Sequence, residues 1–259
     1  MDRLRKDFPS RSVRPSFPKP DPAMATVEGA LQYAAPKTGG STYGYYLSNA
    51  LAVVLANSLR GRGFEGVLPD EHGGFESRAR GARGLKKLDV NYSTPELGLG
   101  LGLSVKTISR RDPSTKRYTK NYSRNDNELR AEAVDYHRRQ PFSVLVCFLF
   151  LPIDAADDAS SGEGEDAGVS SFGAAVRYFR YRTPRPEPEG EPDRFEAFYV
   201  ALYEADGQTM FWPVHDLELD PPAARRPRPS EVTDLDGAMS DVVRIFEQRN
   251  EPPFRWAEK

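Results

Sequence analysis

The chain has 259 residues, enough for one sizeable core or two small ones, and its 36 basic and 38 acidic side chains leave a formal net charge of −2. A single cysteine, Cys147, excludes a disulfide framework and a multi-cysteine zinc site. No apolar run approaches the ~18–20 residues of a membrane-spanning helix, and no hydrophobic stretch follows the basic N-terminal residues, so a soluble cytoplasmic protein without a secretory signal or membrane partner is expected.

In chain order, residues 1–25 are rich in Pro and Arg and predict an extended or disordered arm. Leu47, Leu51, Val54, Leu55 and Leu59 recur at helical spacing and predict a long helix from about Tyr43 to Arg60, with Ser41 or Thr42 as its cap. A Gly/Arg-rich connection follows. Two strands are then expected, over 86–93 and 97–108, separated by a turn containing Pro95. A polar loop leads into a second helix from about Arg124 to Arg139, stopped by Pro141. The run FSVLVCFLFLP (142–152) is the most apolar in the chain and predicts a strand buried on both faces.

Beyond it, residues 154–168 read as an acidic surface loop, 171–182 as a helix or a strand, and 184–193 as a linker. The segments 195–204 and 209–214 read as paired strands joined through ADGQ. A last helix is expected from about Leu235 to Arg249. Together these elements predict one α/β domain over 26–259, with Pro-rich and acidic loop insertions. Its core would span about 43–152, with a C-terminal elaboration over 153–259.

Charge is segregated along the chain. From Glu76 to Arg124, basic residues outnumber acidic ones by 12 to 4, whereas Asp154 to Asp166 contains six acids and no base. Such segregation in a nearly neutral protein suggests a surface facing a polyanion, although a solvated basic face would look the same.

The stretch GLGLGLSVKTI (98–108) raises a separate question, because glycine is a poor strand former. Alternation places Leu99, Leu101, Leu103 and Val105 on one face and Gly98, Gly100, Gly102, Ser104 and Lys106 on the other. The glycines indicate either tight packing by a helix or room for a ligand beside Lys106. In the preceding strand, Asp89 stands between Leu88 and Val90, an awkward place for a carboxylate without a partner or a metal.

A strand aspartate, a turn and a strand bearing a lysine resemble the core of the PD-(D/E)XK restriction-endonuclease-like nucleases, over about residues 43–152. The resemblance implies a central mixed sheet flanked by helices, with Asp89 as a metal ligand, Val105 as the X position and Lys106 as the catalytic lysine. Two departures are visible: Leu88 precedes Asp89 where the family has proline, and Ser104 occupies the second acid position. An S-x-K version of the family draws the missing carboxylate from the following helix. Here Glu128 and Glu132, one turn apart beside the apolar stripe Leu129, Ala133 and Tyr136, are the candidates.

The implied activity is Mg²⁺-dependent (or Mn²⁺-dependent) endonucleolytic hydrolysis of DNA, serving restriction or another anti-phage defence. The catalytic set would be Asp89, Ser104, Lys106, Glu128 and Glu132, with Asp89, Glu128 and Glu132 as the metal ligands. Arg110, Arg111, Lys116, Arg117, Lys120 and Arg124 are expected to contact phosphates, interleaved with Tyr118 and Tyr122. In this reading the glycines make room for nucleic acid. A homodimer or a subunit of a defence complex is implied.

A nuclease-like subunit that binds nucleic acid without cutting it is the rival reading, and a scaffold with partner-binding Pro-rich arms is a third. Other schemes find little support. KTGGSTYG (37–44) lacks phosphate-loop spacing, GLGLG lacks the dinucleotide fingerprint, and no G-x-S-x-G elbow occurs. His72, His137 and His215 are scattered, and Cys147 reads as a core residue.

Overall fold

Thr26 caps a short helix, α1 (Val27–Ala34), by accepting the Gly29 N–H. The sequence leaves this helix unannounced, because eight residues carry only two turns of periodicity. The computed structural model describes residues 19–36, 40–70, 72, 77–94, 98–159 and 168–250. Most of the expected N-terminal arm therefore lies outside the described residues. Its end is held in place, because the Asn57 side chain donates to the carbonyls of Pro22 and Met24 at 2.8 and 2.7 Å.

The long helix forms as α2 (Gly40–Arg60), with Leu47, Leu51, Val54, Leu55 and Leu59 all buried. It already runs through Ser41 and Thr42, so neither caps it as expected. The connection beyond it contains a hairpin, β1 (Ser77–Gly81) and β2 (Gly84–Leu88), paired antiparallel as a separate two-stranded sheet. The single strand expected over 86–93 is broken at Asp89, and β3 (Val90–Thr94) begins after it.

Five strands form the main sheet in the order β3–β4–β5–β6–β7, with β4 at Gly98–Thr107, β5 at Val144–Pro152, β6 at Ala197–Tyr203 and β7 at Thr209–Pro213. The outer pairs are antiparallel and the β4–β5 and β5–β6 pairs are parallel. Parallel neighbours need crossovers, supplied by α3 (Tyr122–Arg139) and α4 (Ser171–Phe179). Residues 171–182 are thus helical, ending in a 3₁₀ turn at Arg180–Arg182.

Two crossovers of the same hand that step the same way put their helices on one face. Accordingly α3 and α4 cover the Leu145, Cys147, Phe198 and Val200 side of the sheet. Helices α1, α2 and α5 (Leu235–Arg249) cover the Val146, Phe148, Tyr199 and Ala201 side. The result is an α/β sandwich whose mixed sheet is flanked by helices, with β5 buried on both faces as expected.

Segment 184–193 is no free linker. Arg185 is buried and its guanidinium pairs with the buried Glu196 carboxylate at 2.8 Å. The Glu196 carboxylate also accepts the Leu145 N–H at 2.7 Å and lies 3.4 Å from both Arg249 and His137. This network ties the segment to the starts of β5 and β6 and to the end of α5.

Candidate active site

The glycine-rich strand shows where sequence alternation fails. Tyr92 pairs with Leu101 but Ser93 pairs with Leu99, so β4 carries one extra residue, Gly100, as a bulge. The extra residue flips Leu99 to the α3 side, while Leu101, Leu103 and Val105 face α2. A Cβ on Gly102 would lie 2.9 Å from Leu145 and 3.0 Å from Leu88, and one on Gly100 would meet the Tyr92 and Phe246 rings. The space left by these two glycines is filled by the protein's own side chains, not opened to nucleic acid. Tight packing is the correct alternative, but at Gly102 it comes from the strand residues Leu145 and Leu88 and only at Gly100 partly from a helix, through Phe246 of α5.

Past Leu103, the last residue of β4 paired to β3, that edge of β4 loses its strand partner. The half-buried Asp89, at the break between β2 and β3, takes over: its Oδ2 accepts the Val105 N–H at 2.7 Å. The awkward carboxylate therefore has a backbone partner. Ser104 and Lys106 follow on the α3 side of the sheet. Ser104 is buried and its hydroxyl donates to Glu132. Lys106 Nζ lies 3.5 Å from Glu128, which also accepts from Arg124 Nε at 2.9 Å. Leu129, Ala133 and Tyr136 are buried beneath, so the apolar stripe of α3 docks the helix and brings both glutamates to the end of β4.

The structure thus gathers Asp89, Ser104, Lys106, Glu128 and Glu132 in one place. Burial opposes the Lys106 charge, but Glu132, Asp89 and Glu128 outweigh it and raise the ammonium pKa above its ordinary value. Burial likewise opposes ionisation of Glu128, yet Arg124 and Lys106 prevail and lower its pKa.

Of these residues Asp89, Lys106 and Glu128, but not Ser104 or Glu132, line a cleft of about 630 Å³ between the N-terminal part of α2, the open end of β4 and the start of α3. Arg110, Arg111, Lys120 and Arg124 line it as well. Arg111 pairs with Asp154 at 2.8 Å and Lys120 with Asp112 at 2.6 Å. Lys116 and Arg117 are not among the lining residues, and Arg117 instead donates to the Val169 carbonyl at 2.7 Å. Tyr118 and Tyr122 are buried and bond Asp154 and the Ser171 carbonyl. The Arg111 guanidinium stacks over the Tyr118 ring at 5.5 Å from its centroid, as expected of a cation interleaved with an aromatic, whereas Tyr122 packs against Tyr178 and Phe179. Tyr45 and Asn125 also line the cleft. Sequence reasoning missed both, although the tyrosine-rich first turns of α2 are a signal that can be read.

Mg²⁺ takes oxygen ligands and is commonly held by one or two carboxylates together with water and substrate phosphates. Asp89, Glu128 and Glu132 are carboxylates of that chemistry, and all three act electrostatically on the Lys106 ammonium. Among the described residues no group of three or more His, Cys, Asp or Glu is gathered as a metal-binding cluster. The three expected ligands, Asp89, Glu128 and Glu132, are thus not gathered into one such cluster. His137 accepts no such role, being buried against the Pro192 carbonyl and Glu196. No helix among the described residues is long and apolar enough to cross a membrane. No family model, no curated protein and no solved structure matches this chain.

Proposed function

We propose that the chain is a metal-dependent nuclease that hydrolyses phosphodiester bonds of DNA, with the restriction or anti-phage role that the resemblance implies, alone, as a homodimer or within a defence complex. The observation that carries the reading is that Asp89, Lys106 and Glu128 line the same cleft as Arg110, Arg111, Lys120 and Arg124, with Glu132 behind them on the hydroxyl of the buried Ser104. Asp89, Glu132 and Glu128 would hold Mg²⁺ or Mn²⁺, which supplies charge neutralisation at the phosphate and activation of water. Lys106, whose Nζ lies 3.5 Å from Glu128 in the cleft, would donate an N–H to a phosphate oxygen and stabilise the charge that builds there. The cleft arginines orient the backbone through its phosphates, and Ser104 positions Glu132 through its hydroxyl.

One observation favours a second reading, a nucleic-acid-binding subunit without cleavage: Ser104 stands where a carboxylate would complete the acidic set, and its hydroxyl engages Glu132. A cleavage assay on plasmid and phage DNA with Mg²⁺ or Mn²⁺ separates the two. Metal-dependent cutting by the wild type, abolished in Lys106→Ala, in Asp89→Asn and in the Glu128→Ala/Glu132→Ala double variant, supports the nuclease. Retention of DNA in a gel shift with no cutting under either metal selects the binding subunit. Neither cutting nor retention rejects both.

A further inference from the structure

Of the four large hydrophobic side chains exposed among the described residues, Tyr45 alone lines the cleft, and it is 56% exposed. Its position is built. The Gly44 carbonyl accepts the Thr107 hydroxyl at 3.2 Å, which pins this turn of α2 beside the residue that follows Lys106. Gly44 permits the approach, since a Cβ there would stand 3.2 Å from the same hydroxyl. The Tyr45 ring is braced edge-on by Tyr46 at 5.4 Å between centroids, and Tyr46 is braced in turn by Tyr33 at 6.0 Å. Arg110, which lines the same cleft, is exposed and has no ion-pair partner among the described residues.

An aromatic ring held beside a line of phosphate-binding cations is the arrangement by which proteins engage unpaired bases: the cations follow the backbone and the ring stacks the base, whatever its identity. Size points the same way. At about 630 Å³ the cleft matches the pockets, roughly 300–1,000 Å³, that enclose ligands of drug size. That is room for one or two nucleotides, whereas a duplex presents its bases already stacked and paired.

Resting on the nuclease reading, we infer that Tyr45 is a base-stacking platform that selects nucleic acid with an unpaired nucleotide next to the phosphate at Lys106: a single strand, a flap or a locally opened duplex. Tyr45 is then a specificity residue of the cleft and Arg110 the contact that seats the adjoining phosphate.

The test uses the full chain in Ca²⁺ with fluorescein-labelled single-stranded and blunt-duplex oligonucleotides of one sequence. Affinity is read by anisotropy, and stacking by the fluorescence of a 2-aminopurine in the single strand. The wild type is expected to prefer the single strand and to quench 2-aminopurine. Tyr45→Ala should lose about 10- to 100-fold in single-strand affinity together with the quenching, with duplex affinity unchanged, and Tyr45→Trp should restore both. The inference is overturned if Tyr45→Ala binds the single strand like the wild type, or loses single strand and duplex equally. Duplex binding abolished by Arg124→Ala/Arg110→Ala, with Tyr45→Ala silent, leaves the parent reading standing while this one fails. Wild-type protein that binds neither oligonucleotide removes both.

Discussion

The Asp89 carboxylate has two separable duties, one to the backbone and one to the charge balance around Lys106. Its Oδ2 completes the Val105 N–H at 2.7 Å where β4 runs out of strand partner. Removing the acceptor leaves that amide short of a partner, at a cost of about 1–3 kcal/mol. Asp89→Ala is therefore expected to lower both stability and any cleavage activity. Asp89→Asn keeps an accepting oxygen and should hold the urea midpoint near that of the wild type while activity falls. Equal destabilisation by the two variants would show that the charge, and not the hydrogen bond, supports the strand. Gly102 poses a comparable question. An added methyl meets Leu145 and Leu88 at 2.9 and 3.0 Å, so Gly102→Ala should destabilise by about 1–3 kcal/mol through overpacking and leave nucleic-acid affinity unchanged. A drop in affinity without a drop in stability would return that space to the ligand.

Between elements, the strongest tie away from the cleft is the buried network on Glu196. Its carboxylate joins Arg185 of segment 184–193, the Leu145 N–H that opens β5 and, at 3.4 Å, Arg249 near the end of α5. Glu196→Ala leaves the buried Arg185 without its ion-pair partner and should cost about 3–5 kcal/mol in equilibrium unfolding. The double variant Glu196→Leu/Arg185→Met should be clearly less damaging than Glu196→Ala, because it removes the pair instead of breaking it. If single and double variants are equally unstable, packing of the segment is what matters. On the other face, α3 is fixed at its start by Asp126, which receives Arg182 through two bonds of 2.6 and 3.1 Å. That anchor helps set where Glu128 and Glu132 stand.

Over the whole molecule, several carboxylates titrate below their ordinary range. Burial raises Glu196, but His137, the Leu145 N–H and Arg185 outweigh it. Burial also raises Asp241, but His215, Tyr199 and Arg244 pull it lower. Glu231 is lowered to about 2, chiefly by Arg225. Folded-state values below the unfolded ones mean stability that is fully present above the unfolded carboxylate pKa, near ~4, and lost as pH falls through the folded values. The urea midpoint should therefore decline from about pH 4.5 toward pH 2, and Glu231→Gln should make the lower part of that decline shallower. A midpoint that rises over this interval would contradict the assigned ion pairs.

Much of the architecture is carried by local patterns. The 3.6-residue recurrence of Leu47 to Leu59 and of Leu129, Ala133 and Tyr136, and the unbroken apolar run around Cys147, each report a periodicity that a helix or a buried strand imposes within a few residues. The association of Asp89 with Lys106 was legible for the same reason, since a strand, a turn and a second strand lie close along the chain. What tertiary structure alone decided depends on residues far apart in sequence. Gly102 belongs to packing because the Leu145 side chain, from its partner position on β5, fills the space beside it. Arg117 serves a distant carbonyl at Val169, and Arg185 is buried because Glu196 and the end of α5 close over it. Tyr45 reaches the cleft because Thr107, 63 residues beyond Gly44, donates its hydroxyl to that turn of helix. No local period encodes such pairings; they are fixed when the helices settle on the sheet and each buried polar group must find a partner.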